Sequence, residues 1–127
     1  MAENAHEIEI LRQRVSQFLA FAHQQAYLPD GIDYSPCYHR QENRSFMALH
    51  GIMQEDIRNF ILDLALGQFS HISMEEGKTD AYVFGFRLPW DGTKTYMKLK
   101  ECEGVLVLSL HSPERDLRFP FQNEEDV

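Results

Sequence analysis

The chain is poor in cysteine and has no long apolar run. Cys37 and Cys102 are its two cysteines, too few for the disulfide framework that supports small secreted domains. We expect two reduced thiols, with one buried disulfide as the alternative. Apolar runs stay well short of the roughly 18–20 residues of a transmembrane helix, and residues 1–10 are acidic, unlike a secretory signal. These absences predict a cytoplasmic protein that does not bind membranes.

Positive charge is also scarce. Twelve Lys and Arg residues stand against twenty Asp and Glu residues, for a net charge of −8. This balance argues against non-specific nucleic-acid binding, which relies on a basic surface. The stretch from Arg87 to Lys100 is different, because it carries four basic residues and the single acid Asp91. The charge is therefore patterned along the chain, and a local anion site remains compatible with it.

Motifs that announce a metal or a cofactor are missing. The six histidines are scattered, without an HExxH motif or Cys and His pairs at zinc spacing. The sequence also lacks a glycine-rich phosphate loop, a serine nucleophile elbow and a dinucleotide fingerprint. We therefore predict neither a metal site nor a cofactor, and we rank a metal-dependent hydrolase third among the possible functions.

The first half of the chain has helical periodicity. Apolar residues at steps of three and four predict helices over residues 5–25, 40–49 and 53–66. Between the first two helices, residues 28–38 carry two turn signals, Pro29-Asp30-Gly31 and Ser35-Pro36, and are predicted to form a loop. Gly51 is expected to end the second helix in a left-handed conformation.

After Gly67 the apolar period changes to two, which predicts strands over residues 69–74, 80–88, 95–100 and 105–111. Short turns between consecutive strands favour an antiparallel meander. The sequence thus predicts an α+β fold in which three N-terminal helices pack on one face of a four-stranded antiparallel sheet. The length of 127 residues suits one domain, expected over residues 1–121, with an acidic, loosely ordered tail at 122–127.

Alternation along these strands separates a core face from a polar face. The predicted core face carries Tyr82, Phe84, Phe86, Leu88, Met97, Leu99, Leu106, Leu108 and Leu110. The predicted polar face carries His71, Arg87, Tyr96, Lys98, Ser109 and His111. Two interpretations of the polar face stand at this point, an ordinary solvated sheet surface or a small active site for a phosphodiester.

The residue types on this face suit metal-independent RNA cleavage. In that reaction the 2′-hydroxyl attacks its own phosphate, one group accepts a proton, another donates one, and a cation stabilises the phosphorane. Histidine serves both proton roles near neutral pH, and arginine and lysine bind phosphate. The candidate catalytic residues are His71, Tyr96, His111 and Arg87. The candidate substrate-binding residues are Lys98, Lys94 and Ser109.

The segment from about residue 49 to residue 111 also resembles the MqsR family of toxin endoribonucleases, within the RelE/barnase-like fold group. The resemblance lies in LHGI before a helix, then FSHISM, VFGFRLP and TYMKLKECEGVLVLSLH. Its closest part is a hairpin with Tyr-x-Lys on one strand and Ser-x-cation at the end of the next. The resemblance covers about half of the chain.

The resemblance implies specific roles and partners. The family's catalytic tyrosine corresponds to Tyr96, and two of its lysines correspond to His71 and His111. Its arginine before a proline is similar to Arg87, while its glutamine falls near Val83, which cannot form the same hydrogen bonds. The implied activity is that of an mRNA interferase, acting on RNA with or without the ribosome and neutralised by a cognate antitoxin protein. The alternative is a non-catalytic interaction or regulatory domain with the same RelE-like fold.

Overall fold

The helices form the first half of the chain. The structure, a computed structural model, describes residues 5–74 and 80–123. Its helices are α1 (Ala5–Ala26), α2 (Ser35–Tyr38), α3 (Gln41–His50) and α4 (Gln54–Asp63), followed by a 3₁₀ turn at Leu66–Gln68. The three predicted helices are therefore confirmed, although the third ends at Asp63 and not at residue 66, and α2 is an additional short helix inside the predicted loop. Gly51 adopts the expected left-handed conformation, with φ of 67°, which glycine accepts without a steric penalty.

The strands form one sheet of five, where the sequence predicted four. They are β1 (Ile32–Asp33), β2 (Phe69–Met74), β3 (Asp80–Arg87), β4 (Lys94–Glu101) and β5 (Val105–His111), in the spatial order β1-β5-β4-β3-β2. The pairs from β2 to β5 form the predicted antiparallel meander, but β1 runs parallel to β5. The sheet is therefore mixed, and the prediction of a purely antiparallel sheet is wrong. The α+β class is confirmed.

A β-bulge in β5 changes which of its side chains face the core. Lys98 pairs with Ser109, but the next residue of β4, Leu99, pairs with Val107. Leu108 is thus an extra residue in β5. The residues of β5 that precede it therefore point to the faces opposite to those predicted. Val105 and Val107 are fully buried, whereas Leu106 and Leu108 are only half-buried. The prediction that Leu106 and Leu108 belong to the core face is wrong, while Leu110 is buried as expected.

The main core lies between the helices and one face of the sheet. The Phe18 ring of α1 stacks on Tyr82 of β3 with ring centroids 4.1 Å apart. Ile57 and Ile61 of α4 are fully buried in the same cluster as Phe84, Met97 and Leu99. Cys37 and Cys102 are both free, and burial raises the pKa of the Cys37 thiol to about 11. Within the described residues, the helices are too short or too polar to cross a membrane.

The opposite face of the sheet is crossed by residues 112–121, which we call the C-terminal strap. Leu117 and Phe119 lie directly over Gly85, where an added Cβ would be 2.6 Å from Leu117 Cδ1. At its end the strap leaves this face, because Phe121 is 1% exposed in the main core cluster and stacks with Phe69 at a centroid distance of 6.2 Å. The strap therefore belongs to the folded domain. Of the tail predicted at 122–127, residues 124–127 lie outside the described residues.

Candidate functional site

The register of the sheet places the predicted polar residues in rows. Tyr96 pairs with Gly85 on one side and with His111 on the other. The neighbouring row on the same face runs from His71 through Val83 and Lys98 to Ser109. A third row consists of the pair Arg87 and Lys94. The predicted facing of all these polar residues is thus correct, because the bulge lies before Ser109 and leaves the last residues of β5 in phase.

Tyr96 and His111 form a stacked pair. Their ring centroids are 4.7 Å apart and the rings are within 13° of parallel. His111 Nδ1 lies 2.8 Å from the carbonyl oxygen of Ser112. A carbonyl oxygen only accepts, so Nδ1 carries the proton and donates it. This bond fixes the ring orientation and leaves Nε2 for proton exchange with a ligand.

Five of the predicted site residues line one opening of about 390 Å³, which we call the central cleft. They are His71, Tyr96, Lys98, Ser109 and His111. His111 is 9% exposed, and it lies on the strap side of the sheet rather than beneath the helices. The two imidazoles, the phenol and the lysine that the alternation placed on one face therefore line the same opening.

The central cleft also contains residues that the sequence did not predict. Arg40 and Glu42 enter from the start of α3, and Glu114, Arg115 and Leu117 enter from the C-terminal strap. Counting Lys98, three permanent positive charges line the cleft against two carboxylates. The cleft is therefore locally positive in a chain of net charge −8. The sequence alone does not predict Arg40 at this site, because only the packing of α3 against β5 brings it to the cleft. Arg115 follows β5 in the chain, and its position likewise depends on the path of the strap.

Asn43 fastens α3 to the edge of β5. Its side chain is fully buried, and Nδ2 donates to the carbonyl oxygen of Cys37 at 3.0 Å. Its Oδ1 accepts from the backbone N–H of Leu110 at 3.1 Å, while Nδ2 lies 3.5 Å from the Leu108 carbonyl oxygen. Since β1 pairs only with the first two residues of β5, Asn43 completes the strand edge next to Ser109 and His111. It also sets the first turn of α3 beside the cleft.

Arg87 and Lys94 lie elsewhere. They line a second opening of about 480 Å³, which we call the side cleft, together with Gly85, Pro113, Leu117 and Phe119. Arg87 Nη1 donates to the carbonyl oxygen of Gly92 at 2.9 Å, within its own turn. The grouping of Arg87 and Lys94 with the other site residues is therefore wrong in space. They share the face, but they line the side cleft and not the central cleft.

His71 stands at the opposite end of the central cleft from His111. Its strand, β2, is three strand spacings from β5, and its row ends at Ser109, two residues before His111, so the backbones of the two histidines are about 16 Å apart. His71 Nδ1 shares a hydrogen bond with the Ser70 hydroxyl at 2.9 Å. Burial lowers the pKa of the His71 imidazole, and the nearby charge of Lys98 lowers it further. The two histidines therefore occupy opposite walls, and His71 is neutral near pH 7.

The described residues contain no group of three or more His, Cys, Asp or Glu side chains arranged to hold a metal ion. Comparison of the chain with protein-family models, with curated proteins and with solved structures finds no match in any of the three. The resemblance to the MqsR family thus stays a prediction that rests on its motif residues.

Proposed function

We propose that this protein is a metal-independent, toxin-like endoribonuclease that cleaves single-stranded RNA in the central cleft by attack of the 2′-hydroxyl. One observation carries the proposal: His71, Tyr96, Lys98 and His111 line the same opening. This reaction needs a proton acceptor, a proton donor and cations around one phosphate. The cleft supplies each of these residue types.

His71 and His111 take opposite proton roles. Neutral His71 accepts the proton of the 2′-hydroxyl, because its lowered pKa keeps the imidazole unprotonated near pH 7. The 2′-oxygen then bonds to phosphorus, and the bond from phosphorus to the 5′-oxygen breaks. His111 Nε2 donates a proton to that leaving oxygen. Attacking and leaving oxygens lie on opposite sides of the phosphorus, so His71 and His111 must reach it from the opposite walls of the central cleft.

Tyr96 and the cations position and stabilise the phosphate. The Tyr96 ring supports the His111 ring by stacking, and its hydroxyl donates to a phosphate oxygen. Lys98 lies in the same row as His71 and one row away from His111, where its ammonium group offsets the charge of the phosphorane. Arg40 and Arg115 sit on the rims of the cleft and bind the flanking phosphates.

A cleavage assay in excess EDTA tests this proposal. The full-length protein should cut a single-stranded RNA and leave a 2′,3′-cyclic phosphate. His71→Gln and His111→Gln should each slow the reaction by about 10²-fold or more, the usual contribution of a general acid or base. His6→Gln is the matched control, because His6 is exposed on α1 and should cut at the unaltered rate. Intact RNA at high protein concentration would contradict the proposal.

The pH dependence adds a second readout. Because only the unprotonated form of His71 accepts a proton and its pKa is lowered, the acid limb of the rate profile should lie below pH ~6.5, the ordinary histidine value. Expression should also arrest growth, and a cognate antitoxin should relieve the arrest. RNA and this antitoxin are the partners that the proposal implies.

A non-catalytic interaction domain is the second candidate. It is favoured by the C-terminal strap, which covers part of the same face and buries Gly85 beneath Leu117 and Phe119. It is also favoured by the net charge of −8. This candidate predicts that wild-type protein leaves RNA intact and that His111→Gln changes neither growth nor partner binding.

A further inference from the structure

The side cleft contains an unfavourable pair of like charges. Arg87 of β3 and Lys94 of β4 are direct cross-strand partners on the strap side of the sheet. Like charges in this position destabilise a sheet. Asp116 lines the same cleft, yet no ion pair among the described residues joins it to either cation. A bound anion between the two side chains would turn this repulsion into attraction.

The rest of the side cleft is apolar and partly aromatic. Phe119 and Leu117 extend from the strap and cover Gly85, whose missing side chain lets them approach the sheet. Phe119 is only half-buried, so part of its ring remains accessible beside the two cations. An accessible aromatic ring next to positive charges is the combination by which proteins hold one nucleotide of a single strand.

The side cleft lies next to the central cleft. Lys94 and Tyr96 point to the same face and are two residues apart on β4, a separation of about 6.8 Å along the strand. Leu117 lines both openings. This spacing is comparable to the step between successive phosphates of an extended single strand. A phosphate bound by Tyr96 and a phosphate bound by Lys94 can therefore belong to neighbouring nucleotides.

We propose that the side cleft binds the nucleotide adjacent to the scissile phosphate, with its phosphate between Arg87 and Lys94 and its base against Phe119. This assignment rests on the proposed function of the central cleft. It narrows the substrate to single-stranded RNA with at least one nucleotide beyond the cleaved bond. A base stacked in a duplex cannot reach Phe119, so duplex RNA is excluded.

Binding of an uncleavable probe tests the assignment. The probe is a single-stranded tetranucleotide with a 2′-O-methyl group on every ribose, titrated into the full-length protein and followed through the backbone amide of Gly85 by NMR. Arg87→Gln and Lys94→Gln should each weaken binding about tenfold, as expected for loss of one charge-assisted hydrogen bond. Phe119→Leu should weaken it about fivefold or more through loss of stacking.

Lys100→Gln is the matched control, because Lys100 lies on the same strand, six residues beyond Lys94, and its loss changes the net charge equally. The Lys100→Gln protein should bind the tetranucleotide with the affinity of the wild type. Equal weakening by Lys94→Gln and Lys100→Gln would show general electrostatic attraction and overturn the assignment, as would unaltered binding in Arg87→Gln and Lys94→Gln. If the protein binds selectively through Arg87 and Lys94 but cuts no RNA, the nuclease proposal fails while the nucleotide site stands. If it cuts RNA while these variants bind normally, only the side cleft assignment fails.

Discussion

Replacing Asn43 by alanine tests how the site is attached to the helices. The change leaves two buried backbone groups without their partner, the Cys37 carbonyl oxygen and the Leu110 N–H. A buried polar group without a hydrogen bond costs about 1–3 kcal/mol, so the two together cost about 2–6 kcal/mol of unfolding free energy. Since domains of this kind are stable by only about 5–15 kcal/mol, the loss should be large in urea unfolding followed by circular dichroism.

Asn59→Ala is the matched control for this experiment. Asn59 is exposed on α4, so the same substitution in a helix should change stability by no more than about 0.5 kcal/mol. The comparison removes the gain in helix propensity that both substitutions share. Equal unfolding midpoints for Asn43→Ala and Asn59→Ala would refute the view that Asn43 completes the edge of β5. A folded Asn43→Ala protein should also show altered amide shifts at Leu110.

Three further perturbations probe the fold. Gly31→Ala would place a Cβ 1.8 Å from the backbone oxygen of Gln25. Because a backbone atom cannot rotate away, thermal unfolding should show that the free energy of unfolding falls by about 3 kcal/mol. Phe121→Ala removes a buried ring and should cost about 3–5 kcal/mol, with faster limited proteolysis in the C-terminal strap; an unaltered digestion pattern would count against its anchoring role. The pKa of Asp91 is lowered chiefly by hydrogen bonds from Thr93. The contribution of Asp91 to the free energy of unfolding is therefore full above pH ~4 and is lost as the pH falls through the lowered pKa. Asp91→Asn should therefore flatten the acid-unfolding profile below pH ~4, and an identical profile would show that Asp91 contributes nothing.

The sequence carried enough information for most of the fold. The helices around Phe18, Phe46 and Ile57 and the four long strands were predictable, because each has a sustained period of burial. Strand β1 was not, since Ile32 and Asp33 are too few residues to show alternation. Their pairing depends instead on Gly31, whose carbonyl oxygen accepts from the Val105 N–H at 2.9 Å. Contacts this distant in sequence leave little local pattern.

The bulge and the strap show two other limits. Valine and leucine alternate through residues 105–108, so both faces of this part of β5 carry aliphatic side chains whichever register it adopts. The sequence pattern therefore does not reveal the extra residue at Leu108. The strap, in contrast, has a recognisable pattern in the sequence. Leu117, Phe119 and Phe121 alternate with exposed Arg118 and Pro120, a pattern that favours packing of this segment on the domain. The acidic residues that follow obscured this signal.

The candidate site was predictable along single strands but not between elements. Tyr96, Lys98, Ser109 and His111 lie together because adjacent strands preserve their alternation. Arg87 was misplaced, since alternation gives the face of a residue and not its distance along the sheet. Arg40 and Arg115 reach the central cleft through α3 and the strap, and their positions depend on tertiary packing that no strand period encodes.

Cleavage of RNA in the central cleft is tested most directly by the ratio of cleavage rates between His111→Gln and His6→Gln in excess EDTA. If His111 is the general acid, His6→Gln cuts at the wild-type rate and produces a 2′,3′-cyclic phosphate, while His111→Gln is slower by about 10²-fold or more. Equal rates for the two variants, or no cyclic phosphate from the wild-type protein, would contradict the claim that the central cleft cleaves RNA.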